Sequence, residues 1–346
     1  MAEKQIVVFV NFPDIDNYAL LLAVHRLYPT ATIKIVLIGR PVKFEATVSD
    51  ETWDYVAEHS EIVQRLNAVR VVNFLKQFGI HRSADIYDGG IAERTPIPHH
   101  LHIRDYAEFG DIDGIASVTN DILQPLTNLI VEMLEGKWTI LVGGPMTGLH
   151  KILNRLPPVQ NNIEAVYAMC GSWGTSQMMD VGGGDRSGKN FNVTCDPVAA
   201  HAVLSGLTCP VTLFPTEITR ISEIGFSTAN DLRMFLNSKL IGQEGIEYFC
   251  NLYDIWFEKV LQPLQGEIYI YDLAAAFGSV TTLCASMYEV VPVQINNVPH
   301  LVHEAENHGR IDMEKLTDES ESNRFAAKGF KQGGEQLYRQ ALLEIF

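Results

Sequence analysis

Apolar residues recur along this chain in two alternating rhythms. Gln5 to Asn11 (QIVVFVN) and Thr32 to Gly39 (TIKIVLIG) are unbroken β-branched and aromatic runs, the pattern of strands buried on both faces of a parallel sheet. Between them Tyr18, Leu21, Leu22 and His25 repeat at helical spacing as far as Pro29, and Asp16 is placed to cap that helix. A β-α-β opening implies parallel pairing. Ile62, Val63, Leu66, Val69, Val72 and Leu75 lie three and four apart and predict a long amphipathic helix over 60–78. The same reading predicts strands at 84–88, 138–142, 165–170 and 210–215, and helices at 118–134, 146–156 and 196–205. From 227 to 286 the pattern is mostly helical, and the final ALLEIF closes with a helix. The alternation crosses both halves without a Pro/Gly/Ser-rich linker or an internal repeat. It predicts one domain over 1–346, an α/β fold with a doubly wound, mostly parallel sheet and helices on both faces.

Some stretches fall outside this rhythm. Residues 90–114 (GIAERTPIPHHLHIRDYAEFGDIDG) have little periodicity, and so long a loop in a compact domain reads as a candidate lid. Within it, His99, His100 and His102 offer an acid cluster or a metal site, although three histidines in a polar loop are more simply solvated. Gly182, Gly183 and Gly184 are not a phosphate loop, because no Lys-Ser/Thr pair follows in the required frame. They read as a flap beside the pocket. The charged stretch 303–323 reads as a solvated surface excursion.

Composition narrows the partners. The 346 residues hold 42 acidic and 26 basic side chains, a formal charge of −16 that repels nucleic acid and anionic bilayers in the absence of a basic stripe. With 47% hydrophobic residues the chain can bury a large core. The longest apolar runs, such as Leu20–Val24 and Leu273–Phe277, fall far short of the roughly 18 residues that a membrane span needs. The first residues, MAEKQIVVFVNF, lack the layout of a signal peptide. Five cysteines, an odd number with no CxxC pair, read as buried free thiols in a reducing compartment, which points to the cytoplasm.

In an open parallel sheet, ligands bind beyond the carboxyl ends of the strands. The residues there are Asn11 to Asn17, Gly39-Arg40, Asp88-Gly89-Gly90, Gly143-Gly144-Pro145, Gly171-Ser172 and Thr216-Glu217-Ile218-Thr219. Oxygen-bearing side chains and backbone turns dominate this rim, which suits a hard cation or a hydroxyl-rich ligand better than zinc.

Six of the chain's motifs, in order, resemble those of the inosine/uridine-preferring nucleoside hydrolases. The first segment, Phe9-Val10-Asn11-Phe12-Pro13-Asp14-Ile15-Asp16, aligns with the family's Asp-x-Asp-Pro-Gly-x-Asp-Asp, and only Asp16 keeps its acid in place. Asp111-Ile112-Asp113-Gly114-Ile115 is similar to the lid's Gly-x-Asp-Gly-Leu, and Gly143-Gly144-Pro145-Met146-Thr147-Gly148 to the Gly-Pro-Leu-Thr-Asn turn. Asn190-Phe191-Asn192 through Asp196-Pro197-Val198-Ala199-Ala200 is similar to Glu-Phe-Asn-x-x-x-Asp-Pro-x-Ala-Ala. Pro215-Thr216-Glu217-Ile218-Thr219-Arg220 matches Pro-Leu-Asp-Val-Thr-His in outline, and Tyr271-Asp272 matches a His-Asp pair.

The resemblance implies an N-ribosyl hydrolase with Ca²⁺ on the floor of its pocket. In that family the metal holds a water and two ribose hydroxyls, an aspartate takes the water's proton, and the sugar becomes an oxocarbenium ion. Carried over, the calcium ligands would be Asp16, Asp272, the Gly143 carbonyl and Asn11. Asn192 would bind ribose hydroxyls, Asn190 replaces a glutamate that contacts the sugar, Asp113 would meet substrate from the lid, and Tyr271 stands where a leaving-group histidine often does. The resemblance also implies a small-molecule nucleoside as partner and a homodimer or homotetramer.

The departures bear on catalysis. Asn11 replaces the aspartate that is both ligand and base, and an amide cannot accept a proton at neutral pH. Ile15 removes a second carboxylate, and Arg40 replaces the asparagine of a Gly-Asn turn. Fewer anionic ligands mean weaker calcium binding. Asp14, three residues after Asn11 in a loop redirected by Pro13, offers a replacement base. Three readings stand: a hydrolase of a ribonucleoside or modified nucleoside, a nucleoside- or ribose-binding homologue without chemistry, and a structural subunit. More ordinary roles also stand for the individual residues: Asp16 as a helix cap, Asp272 as a surface helix residue, Tyr271 as core packing and Asn192 as a turn residue.

Overall fold

A computed structural model describes residues 3–11, 14–39, 60–81, 85–92, 122–171, 173, 190–238, 243–256, 268–296, 312–316 and 322–346. Among these residues the strands are β1 (Gln5–Asn11), β2 (Thr32–Gly39), β3 (Asp85–Ile91), β4 (Leu123–Pro125), β5 (Trp138–Val142), β6 (Ile163–Ala168), β7 (Val211–Leu213), β8 (Tyr288–Asn296), β9 (Asp312–Lys315) and β10 (Arg324–Phe330). They form one sheet in the order β4-β3-β2-β1-β5-β6-β7-β10-β8-β9. Pairing is parallel from β4 across to β10 and antiparallel at β10–β8 and β8–β9.

β1 is the pivot of this order. The chain winds from β1 through β2 and β3 to β4 on one side, then returns to β1's other edge at β5 and winds outward again. The crevice between the carboxyl ends of β1 and β5 is therefore the topological switch point, where an open α/β sheet offers space to a ligand. Asn11 ends β1, and Gly143 follows β5.

Side chains of β1 alternate between two cores. Ile6, Val8 and Val10 pack on one face, Val7 and Phe9 on the other, and all five are fully buried, as the unbroken apolar run requires. The first face is covered by α1 (Ile15–Leu27), α2 (Ser60–Gln77) and a C-terminal helical group. The second is covered by α3 (Leu126–Glu132), α4 (Thr147–Arg155) and, after the short α5 (Phe191–Cys195), α6 (Pro197–Gly206). The C-terminal group follows the short α7 (Thr216–Thr219). It comprises α8 (Ala229–Leu236), α9 (Gln243–Trp256), α10 (Leu273–Ser279), α11 (Thr281–Met287) and α12 (Gly334–Ile345).

The structure corrects several readings. Asp16 does not cap α1: Asp14 holds the N-cap position, and Asp16 lies buried in the first turn. The helix expected over 118–134 is described only from Leu126, because Leu123–Pro125 is strand and Pro125 cannot sit in the interior of a helix. Part of the supposed surface excursion is β9, and β8 and β10 were not foreseen. Asp272 is not on the surface, being 2% exposed. All five cysteines are free thiols, four of them buried and Cys284 partly exposed. Among the described residues no helix is long and apolar enough to cross a membrane. Arg40, the lid beyond Ala92 with its histidines and Asp113, and Gly182 to Gly184 lie outside the described residues.

Candidate functional site

The floor of the site begins where β1 runs out. The Asp14 backbone N–H donates to the Asn11 carbonyl at 3.2 Å, closing the turn into α1. One turn into that helix, the Asn17 side-chain NH₂ reaches back to Asn11 and donates both to its backbone oxygen (3.1 Å) and to its Oδ1 (3.0 Å). Both asparagines are fully buried. A polar pair in such a place is tolerable only because its amides are hydrogen-bonded.

β5 delivers the facing wall. Gly143 donates its N–H to the Phe9 carbonyl at 2.9 Å, carrying the ladder one residue past the strand. A Cβ on Gly143 would stand 2.9 Å from both Asn17 Oδ1 and Asp272 Cγ, and one on Gly144 would stand 2.9 Å from the Asn11 N and Oδ1. Any larger residue would thus fill the cradle between β1, α1 and the start of α10. Here glycine is needed for closeness, not for a left-handed backbone.

Asp272 holds the N-cap position of α10, yet its side chain does not cap the helix. Asp16 approaches from α1 on the same side of the sheet. Two buried phenols record this: burial pushes the Tyr253 and Tyr338 hydroxyls far up, and the negative fields of Asp16 and Asp272 raise both further. Asp14 adds to the field at Tyr253. The Tyr338 hydroxyl also donates to the Ile270 carbonyl at 2.9 Å, two residues before Asp272. Tyr271 is half-buried with its ring 5.7 Å from that of Tyr269.

The turn motifs of the sequence lock the rest of the rim. Asn192 donates its amide to the carbonyls of Gly143 (3.1 Å) and Met169 (3.3 Å), tying α5 to the ends of β5 and β6. Asn190 caps α5, accepting from the Val193 N–H, and donates to Thr216 Oγ1 at 3.2 Å. Asp196 caps α6 through the Ala199 N–H and accepts the Thr147 hydroxyl at 2.5 Å. Trp173 donates its backbone N–H to Glu217 Oε1 (2.9 Å) and its indole N–H to the Ala327 carbonyl (3.0 Å), joining the end of β6 to α7 and β10.

The structure therefore brings Asn11, Gly143, Asn192 and Asp272 to one end of the sheet, with Asp14 and Asp16 alongside. Sequence places Asn17 only among the residues that follow β1 and gives it no role of its own; its bond to Asn11 exists only in the folded chain. Among the described residues no three His, Cys, Asp or Glu side chains gather into a metal cluster. The polar groups gathered beside Gly143 and Gly144 are the Asp272 carboxylate and the Asn17 and Asn11 amide oxygens, with the Gly143 carbonyl between the strand ends. An all-oxygen set suits a hard divalent cation, and Gly143 puts no side chain between Asn17 Oδ1 and the Asp272 carboxylate. The Gly143 carbonyl accepts the Asn192 amide and Asn11 Oδ1 accepts the Asn17 amide.

The family described as inosine-uridine preferring nucleoside hydrolase matches residues 63–328. That span contains Asn192 and Asp272 but stops short of Asn11, Asp14 and Asp16. No curated protein matches the chain in sequence. Among solved structures it is similar to an inosine-uridine preferring nucleoside hydrolase from Bacillus anthracis (16% identity, 99% of each chain, TM-score 0.61). It is also similar to a purine-preferring ribonucleoside hydrolase from Gardnerella vaginalis (18%, 99% of this chain and 98% of that one, 0.63). An inosine-guanosine nucleoside hydrolase likewise covers 99% of this chain and 98% of its own at 14% identity and a TM-score of 0.65. At such identities the structural likeness speaks for the fold, and the family match speaks for descent: this chain belongs to the inosine-uridine preferring nucleoside hydrolase family.

Proposed function

We propose that the protein hydrolyses the N-glycosidic bond of a ribonucleoside or a modified nucleoside. The observation that carries this reading is the meeting of Asn11, Asn17, Gly143 and Asp272 at the switch point of the family's fold. Asp16, Asp272, the Gly143 carbonyl and Asn11 Oδ1 would hold a calcium ion, which when bound supplies a Lewis acid and makes a nearby water more acidic. The two carboxylates also favour the positive charge that develops on the sugar as the bond breaks. Asn192, whose NH₂ is engaged with backbone, turns its acceptor end to ribose hydroxyls. Asn190 and, from the lid, Asp113 contribute to substrate binding, and Tyr271 assists the departing base by hydrogen bonding.

The proton from water needs an acceptor other than Asn11. Asp14 takes that role, since it follows Asn11 in a tight turn and its charge falls on the same side as Asp16 and Asp272. The same reading has one domain acting as a cytoplasmic homodimer or homotetramer. It is tested by reducing-sugar release from a panel of ribonucleosides: turnover that Asp16→Ala and Asp272→Ala abolish is expected, and turnover that survives both substitutions overturns it.

A second reading, a nucleoside-binding homologue without chemistry, is favoured by one observation. The residue at the family's base position is an amide, held in hydrogen bonds by a second amide. Saturable nucleoside binding without sugar release would decide for it.

A further inference from the structure

The hydrogen bonds between Asn11 and Asn17 fix which end of each amide is which. The Asn11 backbone carbonyl can only accept, so the Asn17 atom 3.1 Å from it must be the nitrogen. That same nitrogen lies 3.0 Å from the end of the Asn11 side chain, which must therefore be Oδ1. One NH₂ group thus grips both oxygens of one residue. Gly144 also approaches Oδ1 closely, a Cβ there coming within 2.9 Å. A carboxylate at position 11 would have needed no such grip, because its two ends are alike. An asparagine has one end that a cation accepts and one that it rejects, so its orientation must be set by a neighbour.

We propose that Asn17 is a positioning residue that sets the Asn11 amide with its oxygen, not its NH₂, toward the floor shared with Gly143 and Gly144. The proposal rests on the cation-binding reading of this site given above. It assigns to the α1 amide a compensation for the amide at the end of β1: the charge lost at position 11 is not restored, but the one remaining oxygen is kept in the only orientation a cation can use. Partners of this kind, standing behind a ligand, change metal affinity without touching the metal.

The symmetry of a carboxylate supplies the test. Calcium affinity is measured by calorimetry on the whole chain for the wild type, Asn17→Ala, Asn11→Asp and the double variant. Asn17→Ala is expected to weaken calcium binding by about tenfold in the Asn11 background. In the Asn11→Asp background it should change affinity by less than about twofold, because neither orientation is then wrong. An equal loss in both backgrounds, or no loss in either, overturns the proposal and leaves Asn17 as a support of the fold.

A second readout needs neither cation nor variant fold. In ¹⁵N spectra of the wild type, the Asn17 NH₂ protons should be protected from solvent exchange well beyond those of exposed asparagines, and fast exchange there overturns the proposal. If neither the wild type nor Asn11→Asp takes up calcium, the cation reading of the site fails. The positioning claim, which requires a cation for the Asn11 oxygen to face, fails with it.

Discussion

Asp272 and Asn17 meet across Gly143. The carboxyl carbon of one and the amide oxygen of the other each lie 2.9 Å from the point where a Cβ on that glycine would stand. Two elements distant in sequence, the first turn of α1 and the start of α10, are thereby brought against the end of β5, and the space between them is too narrow for a methyl group.

Gly143→Ala should accordingly damage site and fold together. The added methyl would also stand 2.5 Å from Leu20 Cδ2, in a core with no room to yield. A loss of about 1–3 kcal/mol in stability is expected from overpacking of this kind. Denaturant unfolding reads that loss, and calcium titration should show binding weakened at the same time.

Tyr338→Phe removes one hydroxyl from α12 and leaves the Ile270 carbonyl without that donor. The ring should stay in place, since Phe277 meets it edge-on at 5.1 Å and Phe330 at 6.0 Å. The expected cost is about 1–2 kcal/mol, the price of a buried hydrogen bond with one partner left behind. Because the bond anchors the chain two residues before Asp272, calcium affinity should fall as well, whereas a change in melting temperature alone would confine Tyr338 to a packing role.

Asp196→Ala deletes an N-cap and strands the Thr147 hydroxyl that donates to it. Loss of the cap alone costs about 1–2 kcal/mol. If the Thr147 contact is coupled to it, Thr147→Val should cost much less in the Asp196→Ala background than in the wild type, as a double-mutant cycle would read.

Raising the pH should destabilise the protein through its buried thiols. Burial pushes Cys170 and Cys250 up to about 12, well above an unfolded thiol. Between those two values the unfolded chain ionises while the folded one does not, so the folded state binds more protons and loses stability as pH climbs. The contribution is complete below the unfolded value and disappears as pH rises through the folded one. Lys34 acts in the same sense: burial alone would lower its pKa, but hydrogen bonds to Asp85 and Glu132 override this and raise it. The urea midpoint should therefore be lower at about pH 10 than at about pH 8, and both thiols should resist alkylation in the native protein.

Most of the parallel sheet was legible because its strands are buried on both faces and so read as continuous apolar runs. β1 and β2 begin and end at the residues the pattern gave. The antiparallel end was not legible: β8 carries Glu289, Pro292 and Gln294 among its apolar residues, and β9 is four residues rich in charge. Their assignment as strands depends on partners far away in the sequence. The site shows the same division. Gly143, Asn192 and Asp272 were given their roles only through the family resemblance, and the structure places them at one end of the sheet. Asn17 was given none, because its importance lies in a bond to Asn11 that exists only once α1 folds back over the end of β1.

The position of β10 has a consequence for how this molecule comes into being. It is the last strand in the chain, yet it lies between β7 and β8 rather than at a margin. During synthesis β8 and β9 must wait for residues 324–330 before they can be zipped to the growing sheet, and α12 with Tyr338 emerges later still. The Ile270 carbonyl, two residues before Asp272, therefore receives the Tyr338 hydroxyl only after β10 has been made.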